Sequence, residues 1–264
     1  MQNRTVILLV LLASVFWQQP SPVAGESQTA DPQSTQGTNA HSHDMSTMTQ
    51  DQSADGSAAM GAMHSMEGQM DMGPHMKMTD LRPARTGDAE RAQAVVDSAR
   101  KVAAHYLDYR SALSDGFEIF HPEVPQKIYH FVNRAYAREA AVSFNAEHPT
   151  ALLYEKHGDG YNLVGIMYTA PKNFSEEQLD QRIPLSIAQW HEHVNFCAPP
   201  PDRRSEILAT NSQFGLKGSI TTRQACDAVG GTFHPVVFNW MIHVYPFEKD
   251  QKSIWSIERQ HDDS

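Results

Sequence analysis

From Glu26 to Asp80 the chain has no aromatic side chain and no Val, Ile or Leu; Gln, Ser, Thr, Asp, Gly, Ala, Met and His make up almost all of it. A segment of that composition buries too little apolar area to offset the entropy of ordering it, so it reads as a disordered arm. The folding information must then lie in 81–264, a length suited to one domain. Charge divides the same way. The whole chain carries 21 basic and 31 acidic residues, a net charge of −10, of which −7 falls between Glu26 and Met76. An acidic balance repels phosphate, which argues against a nucleic-acid partner.

Residues 1–25 have a different character. Arg4 precedes the apolar run Val6 to Trp17, and Gln18, Gln19, Pro20 and small residues follow, the layout of a secretory signal with cleavage expected after Gly25. The run is short for a bilayer span, so no stable membrane insertion is expected once the signal is removed; an uncleaved anchor is the alternative. Export to a periplasmic or secreted location would place the only two cysteines, Cys197 and Cys226, where disulfides persist, and a single bridge between them is predicted. The competing role for Cys197 is a metal thiolate.

Between His41 and Met78 the arm holds nine methionines and four histidines. An exposed linker has no packing use for Met, whereas thioether sulfur is a soft ligand for Cu(I) and imidazole extends the same site to Cu(II). Met60, Met63 and Met66 recur every third residue, and Met70/Met72 and Met76/Met78 alternate, with His64 and His75 interspersed, so short loops could bring several donors to one ion. The tract resembles the Met/His-rich segments of periplasmic copper-resistance and copper-trafficking proteins. An inert spacer and a sink for oxidants are the other readings.

In the remainder, apolar positions from Asp88 to Leu113 recur at three- and four-residue steps and predict one helix of about seven turns, capped by Thr86 or Asp88. Strand composition appears at 127–133, at 150–155 and 161–169 around a Gly-Asp-Gly turn, at 187–197 and at 236–245. Ser175 with Gln178 forms a capping box for a short helix ending near Arg182. A loop is expected over 202–220 and a helix over 221–229. The predicted fold is α+β: an antiparallel sheet or small barrel with a long N-terminal helix and peripheral short helices.

The densest chemistry lies in Trp190 to Cys197. On a strand, alternate side chains share a face, so His191 and His193 point the same way with roots about 6.6 Å apart, close enough for both rings to ligate one metal. His243 in the last strand and His130 in Tyr129-His130-Phe131 offer a third and fourth imidazole if those strands are neighbours. Such a site would suit copper, with zinc, iron or nickel possible. His234 reads as a loop residue and His157 as part of a turn. A Cys197 thiolate beside the imidazoles and Met241 would resemble a blue-copper site. Glu155 and Glu192 are the carboxylates nearest these strands that could act as bases. No phosphate loop, serine elbow, His-Glu-x-x-His or Cys-x-x-Cys-His motif occurs.

Ala-Leu-Ser-Asp-Gly-Phe (112–117), Tyr-His-Phe-Val-Asn (129–133), Pro-Thr-Ala-Leu-Leu-Tyr-Glu (149–155), Leu-Val-Gly (163–165) and His193-Val194 together resemble an uncharacterised family of exported bacterial proteins. That resemblance adds weight to His130 and His193 but implies no activity. The HxH strand is also similar to that of cupins, whose glutamate after the second histidine is replaced here by Phe196, Cys197 or Ala198. The reading that joins these features is an exported copper-binding protein for buffering, transfer or detoxification, with metal ions and another periplasmic copper protein as partners. The alternatives are a metal-dependent, cupin-like enzyme using the same histidines, and a structural exported domain without metal.

Overall fold

The computed structural model describes residues 73–262, which belong to one compact unit. The predicted signal segment and the arm donors Met60, Met63, Met66, Met70, Met72 and His64 lie outside the described residues. The described residues form an antiparallel eight-stranded sheet with seven α-helices, an α+β fold.

The helix expected over 88–113 is two helices, α1 (Asp88–His105) and α2 (Tyr109–Ser114). The apolar repeat holds through both, but Asp108 ends the first by capping the second: its side chain accepts from the Arg110 N–H at 3.0 Å. Tyr154 Oη donates to the freed Tyr106 carbonyl at 2.7 Å, so the break leaves no buried orphan there. Neither predicted cap operates at the start of α1. Gly87, at φ 89°, occupies the N-cap, and Asp88 instead accepts from Arg82 at 2.6 and 2.9 Å. Arg82 also spans to Asp180, and with Ser186 it holds Asp88 well below the usual carboxylate range. That network ties the chain entering α1 to α4 (Glu176–Arg182), whose predicted capping box is present with both of its bonds.

The strands are β1 (Met76–Met78), β2 (Glu118–Ile119), β3 (Ile128–Val132), β4 (Ala151–His157), β5 (Gly160–Ala170), β6 (His191–Ala198), β7 (Thr232–Val236) and β8 (Trp240–Val244). Their order is β1-β6-β8-β5-β4-β3-β2, with β7 also on β6, an open path rather than a barrel. The β4–β5 hairpin turns at Gly158-Asp159 as its sequence predicts. A short helix, α3 (Arg134–Ala140), follows β3 and is capped by Asn133. The last predicted strand is broken: β7 and β8 pair with successive halves of β6, separated by residues 237–239. Pro201–Leu208 winds into a 3-10 helix where a loop was expected, with Pro201 at a position that needs no N–H.

Strand alternation gives the sheet two unlike faces. One carries Phe131, Leu152, Tyr154, Ile166, Tyr168, Trp190, Trp240, Ile242 and Val244, packed with α1 residues Val95, Val96, Ala99 and Val102 into the main core. The other carries Ile128, Ala151, Leu153, Met167, Met241 and Tyr245. Gly165 permits this second packing: a Cβ there would stand 3.0 Å from both Leu153 and Tyr245 side-chain carbons.

The arm is not disordered to Asp80. β1 lies in the stretch predicted to lack structure and joins the edge of β6, and the physical reason is backbone hydrogen bonding, which composition does not reveal. Val194 N–H donates to the His75 carbonyl and Thr79 N–H to the Trp190 carbonyl, both at 2.9 Å. Gln189 Nε2 donates to the Thr79 carbonyl at 2.5 Å, and His75, itself buried, lies with Nε2 2.7 Å from the Gly218 carbonyl. Strand addition needs few apolar side chains, because main-chain bonds provide the attachment.

Cys197 and Cys226 are bridged, with Cα atoms 5.7 Å apart. The bond pins α5 (Arg223–Ala228) against β6 and sits with Phe214 and Ile220 in a small apolar cluster. Gly231 closes over it, and a Cβ there would fall 2.7 Å from one sulfur and 2.8 Å from the other. The thiolate role for Cys197, and with it the blue-copper arrangement, is thereby removed. The chain ends in two short helices, α6 (Gln251–Ile254) and α7 (Ile257–Asp262). Among the described residues, no helix is long and apolar enough to cross a membrane.

Candidate metal centre

His191 and His193 start β6, and their alternation puts both on the second face, opposite Trp190 and Glu192. The register confirms the partition. Lys77 lies opposite Glu192, its Nζ 3.6 Å from the carboxylate and 4.8 Å from the Trp240 ring centre, all on the core side. His243, on β8, is one strand away. Its side of the sheet is fixed by pairing with Met167 on β5. His130, on β3, lies opposite Leu153 and so shares this face.

The four imidazoles predicted from sequence therefore come together. Ring centres are 5.6 Å apart for His191 and His193, 5.2 Å for His191 and His243, and 5.8 Å for His243 and His130. They form a row, His193-His191-His243-His130. Two imidazoles sharing an ion, with bonds of about 2.0–2.1 Å, have ring centres roughly 5–6 Å apart, so each neighbouring pair has the spacing a shared ion requires. Among the described residues, no group of three or more His, Cys, Asp or Glu side chains is set to hold an ion as it stands. The row offers its imidazoles as neighbouring pairs.

Burial disfavours the charged form of two members of the row, His130 and His243. His191, His193 and His243 are 0%, 6% and 1% exposed, and His130 is half-buried. Desolvation pushes the His130 pKa down to about 4, and desolvation together with His191, His130 and His193 pushes His243 well below its ordinary value. Neutral imidazole is the form that ligates metals. Tyr245 Oη lies 3.4 Å from His243 Nδ1, a long contact inside the row rather than at its end.

The other candidates are placed differently. His75 has both ring nitrogens facing backbone carbonyls, Gly218 at 2.7 Å and Val194 at 3.3 Å, and here it docks the arm rather than facing an ion. His234 lies on β7, exposed, and His157 ends β4 at the hairpin. Glu192, one of the two carboxylates considered as a base, faces the core side, and Glu155 is exposed near the hairpin end of β4. Met76 and Met78 lie on β1, opposite His193 and His191. Sequence reasoning missed Met167 on the same face; only the pairing of β5 with β8 puts it beside His243. Comparison with family models, curated proteins and solved structures finds no match, so the site is interpreted from its own residues.

Proposed function

We propose that the chain is an exported copper-binding protein, periplasmic or secreted, that buffers, transfers or detoxifies copper. The observation that carries this reading is the row of four imidazoles from three strands, three of them almost fully buried, at ring spacings of 5.2–5.8 Å. A structural domain gains little from this arrangement: each buried imidazole brings two polar nitrogens that need partners, and aliphatic side chains would fill the same face without that cost. The donor set of neutral nitrogen and thioether sulfur fits copper. When bound, copper would be held by neighbouring pairs among His191, His193, His243 and His130, while the Met/His arm would capture ions and bring them to the face. Another periplasmic copper protein is the natural donor or acceptor. Glu192 faces away from the histidines, which weakens the enzymatic alternative for that carboxylate.

The test is elemental analysis of the full chain purified from its native compartment, beside His191→Ala/His193→Ala. One tight copper equivalent, lost in the variant, is expected. Protein that carries no copper, and a metal-stripped chain whose melting temperature ignores added copper, would refute a folded copper site.

A further inference from the structure

We infer that Met76 and Met78 are not free-arm ligands but part of the same site as the histidine row, and that this composite site selects Cu(I). The inference rests on the copper reading above and specifies its metal. In an antiparallel pair, directly opposed residues project on one face with Cβ atoms about 4.5–5.5 Å apart. Met76 is opposed to His193, and Met78 to His191; on the other side of β6, His191 is opposed to Met241. Met167 is opposed to His243. Three of the four histidines therefore have a thioether as a cross-strand neighbour, and His191 has one on each side.

The cross-strand positions next to these histidines contain no carboxylate: the row through His191 reads Met78, His191, Met241, Thr169, and the one through His243 reads His243, Met167, Ala151, Val132, meeting a carboxylate only at Glu118 on the outer strand β2, where Arg134 pairs with it. Burying a divalent ion among neutral donors leaves its charge uncompensated, and the desolvation cost rises steeply with charge. A monovalent soft ion is penalised far less and prefers thioether sulfur. The missing third donor of an imidazole pair is then sulfur. Exposure gives the site a direction. Met76 and Met78 are half-buried at the sheet edge, and Met241 and Met167 are buried at 7% and 6%. An ion handed along the arm meets the β1 sulfurs first and the deeper donors afterwards.

The experiment is a double-mutant cycle on the full chain, using Cu(I) held anaerobically by a chromophoric chelator as competitor, and Zn(II) as comparator. Met76→Leu/Met78→Leu conserves volume, so the melting temperature of the stripped protein should hold. The tightest Cu(I) equivalent should weaken roughly ten-fold, about 1.4 kcal/mol, with Zn(II) affinity unmoved. In the His191→Ala/His193→Ala background the same change should have no further effect. Effects that simply add, or a methionine pair without effect where the histidine pair has one, overturn the composite site. A histidine pair without effect on Cu(I) or Cu(II) affinity refutes instead the copper reading beneath it. If the leucine variant is unstable, X-ray absorption of the chain at one Cu(I) equivalent decides: a mixed sulfur and nitrogen shell supports the inference and a nitrogen-only shell overturns it.

Discussion

Replacing both cysteines, Cys197→Ala with Cys226→Ala, tests how the sheet and its surroundings share the task of holding β6. The bridged residues are 29 apart in sequence. Chain entropy assigns a loop of that size about 3.6 kcal/mol of stability at 25 °C, through the restriction of the unfolded state. For a domain of this size each kcal/mol corresponds to about 2–4 °C, so the melting temperature should fall by roughly 7–14 °C. Calorimetry of the oxidised protein, the reduced protein and the double variant would measure it, with thiol titration under denaturant verifying the bridge. The consequence for the metal site is different. His191–His193 is held by β1 and β8, whereas the bridge acts on the far half of β6, about 13 Å further along the strand. Well below the melting transition, the Cu(I) affinity should change by no more than about two-fold. A drop of less than about 2 °C with complete reduction would refute the cross-link argument, and a large loss of affinity in the folded variant would refute the division of labour along β6.

Acid should destabilise the metal-stripped protein through the histidine row. The folded pKa of His130 is lowered to about 4 from 6.5, so the unfolded chain takes up protons first; stability is full above about pH 6.5 and declines as pH falls toward 4, by at most about 3 kcal/mol for this residue, and His243 adds in the same direction. Denaturant midpoints that stay level between about pH 7 and about pH 4.5, or a slope unchanged in His130→Gln, would contradict this. Gly231→Ala should be strongly destabilising, because its Cβ would meet both bridge sulfurs and the Ala198 carbonyl at 2.7–2.8 Å; an unchanged melting temperature in the oxidised variant would refute the close packing over the bridge. A chain beginning at Leu81 should be less stable than one beginning at Gly73 by on the order of 5 kcal/mol, from the loss of about five interstrand and docking hydrogen bonds made by 75–79. Equal denaturant midpoints would mean that β1 contributes nothing to the domain.

Much of the site was legible because alternation is a local rule. His191 and His193 could be assigned to one face from their spacing alone, and the strands bearing His130 and His243 were recognisable from composition. What one sequence could not supply was strand order. β8 inserts between β6 and β5, and that insertion brings His243 within 5.2 Å of His191 and puts Met167 opposite His243. The break at 106–108 was hidden because its apolar repeat continues unbroken; a capping aspartate outweighed a periodicity that fitted one helix equally well.

The more instructive misreading concerns residues 73–80. Composition measures what a segment can bury by itself, and by that measure this one can bury nothing. An edge strand, however, is stabilised by the unpaired N–H and C=O groups of the strand beside it, and β6 would be such an edge without β1. Met-Lys-Met suits that position on both faces: Lys77 reaches the otherwise costly Glu192 carboxylate on the core side, and the two methionines fall beside the histidines on the other. The same alternation that makes the segment read as a metal tract in isolation makes it a matched edge once docked. Shifting its register by one residue would move Lys77 among the imidazoles and strand the methionines against the core side, so the pairing that covers the edge also fixes which donors reach the site.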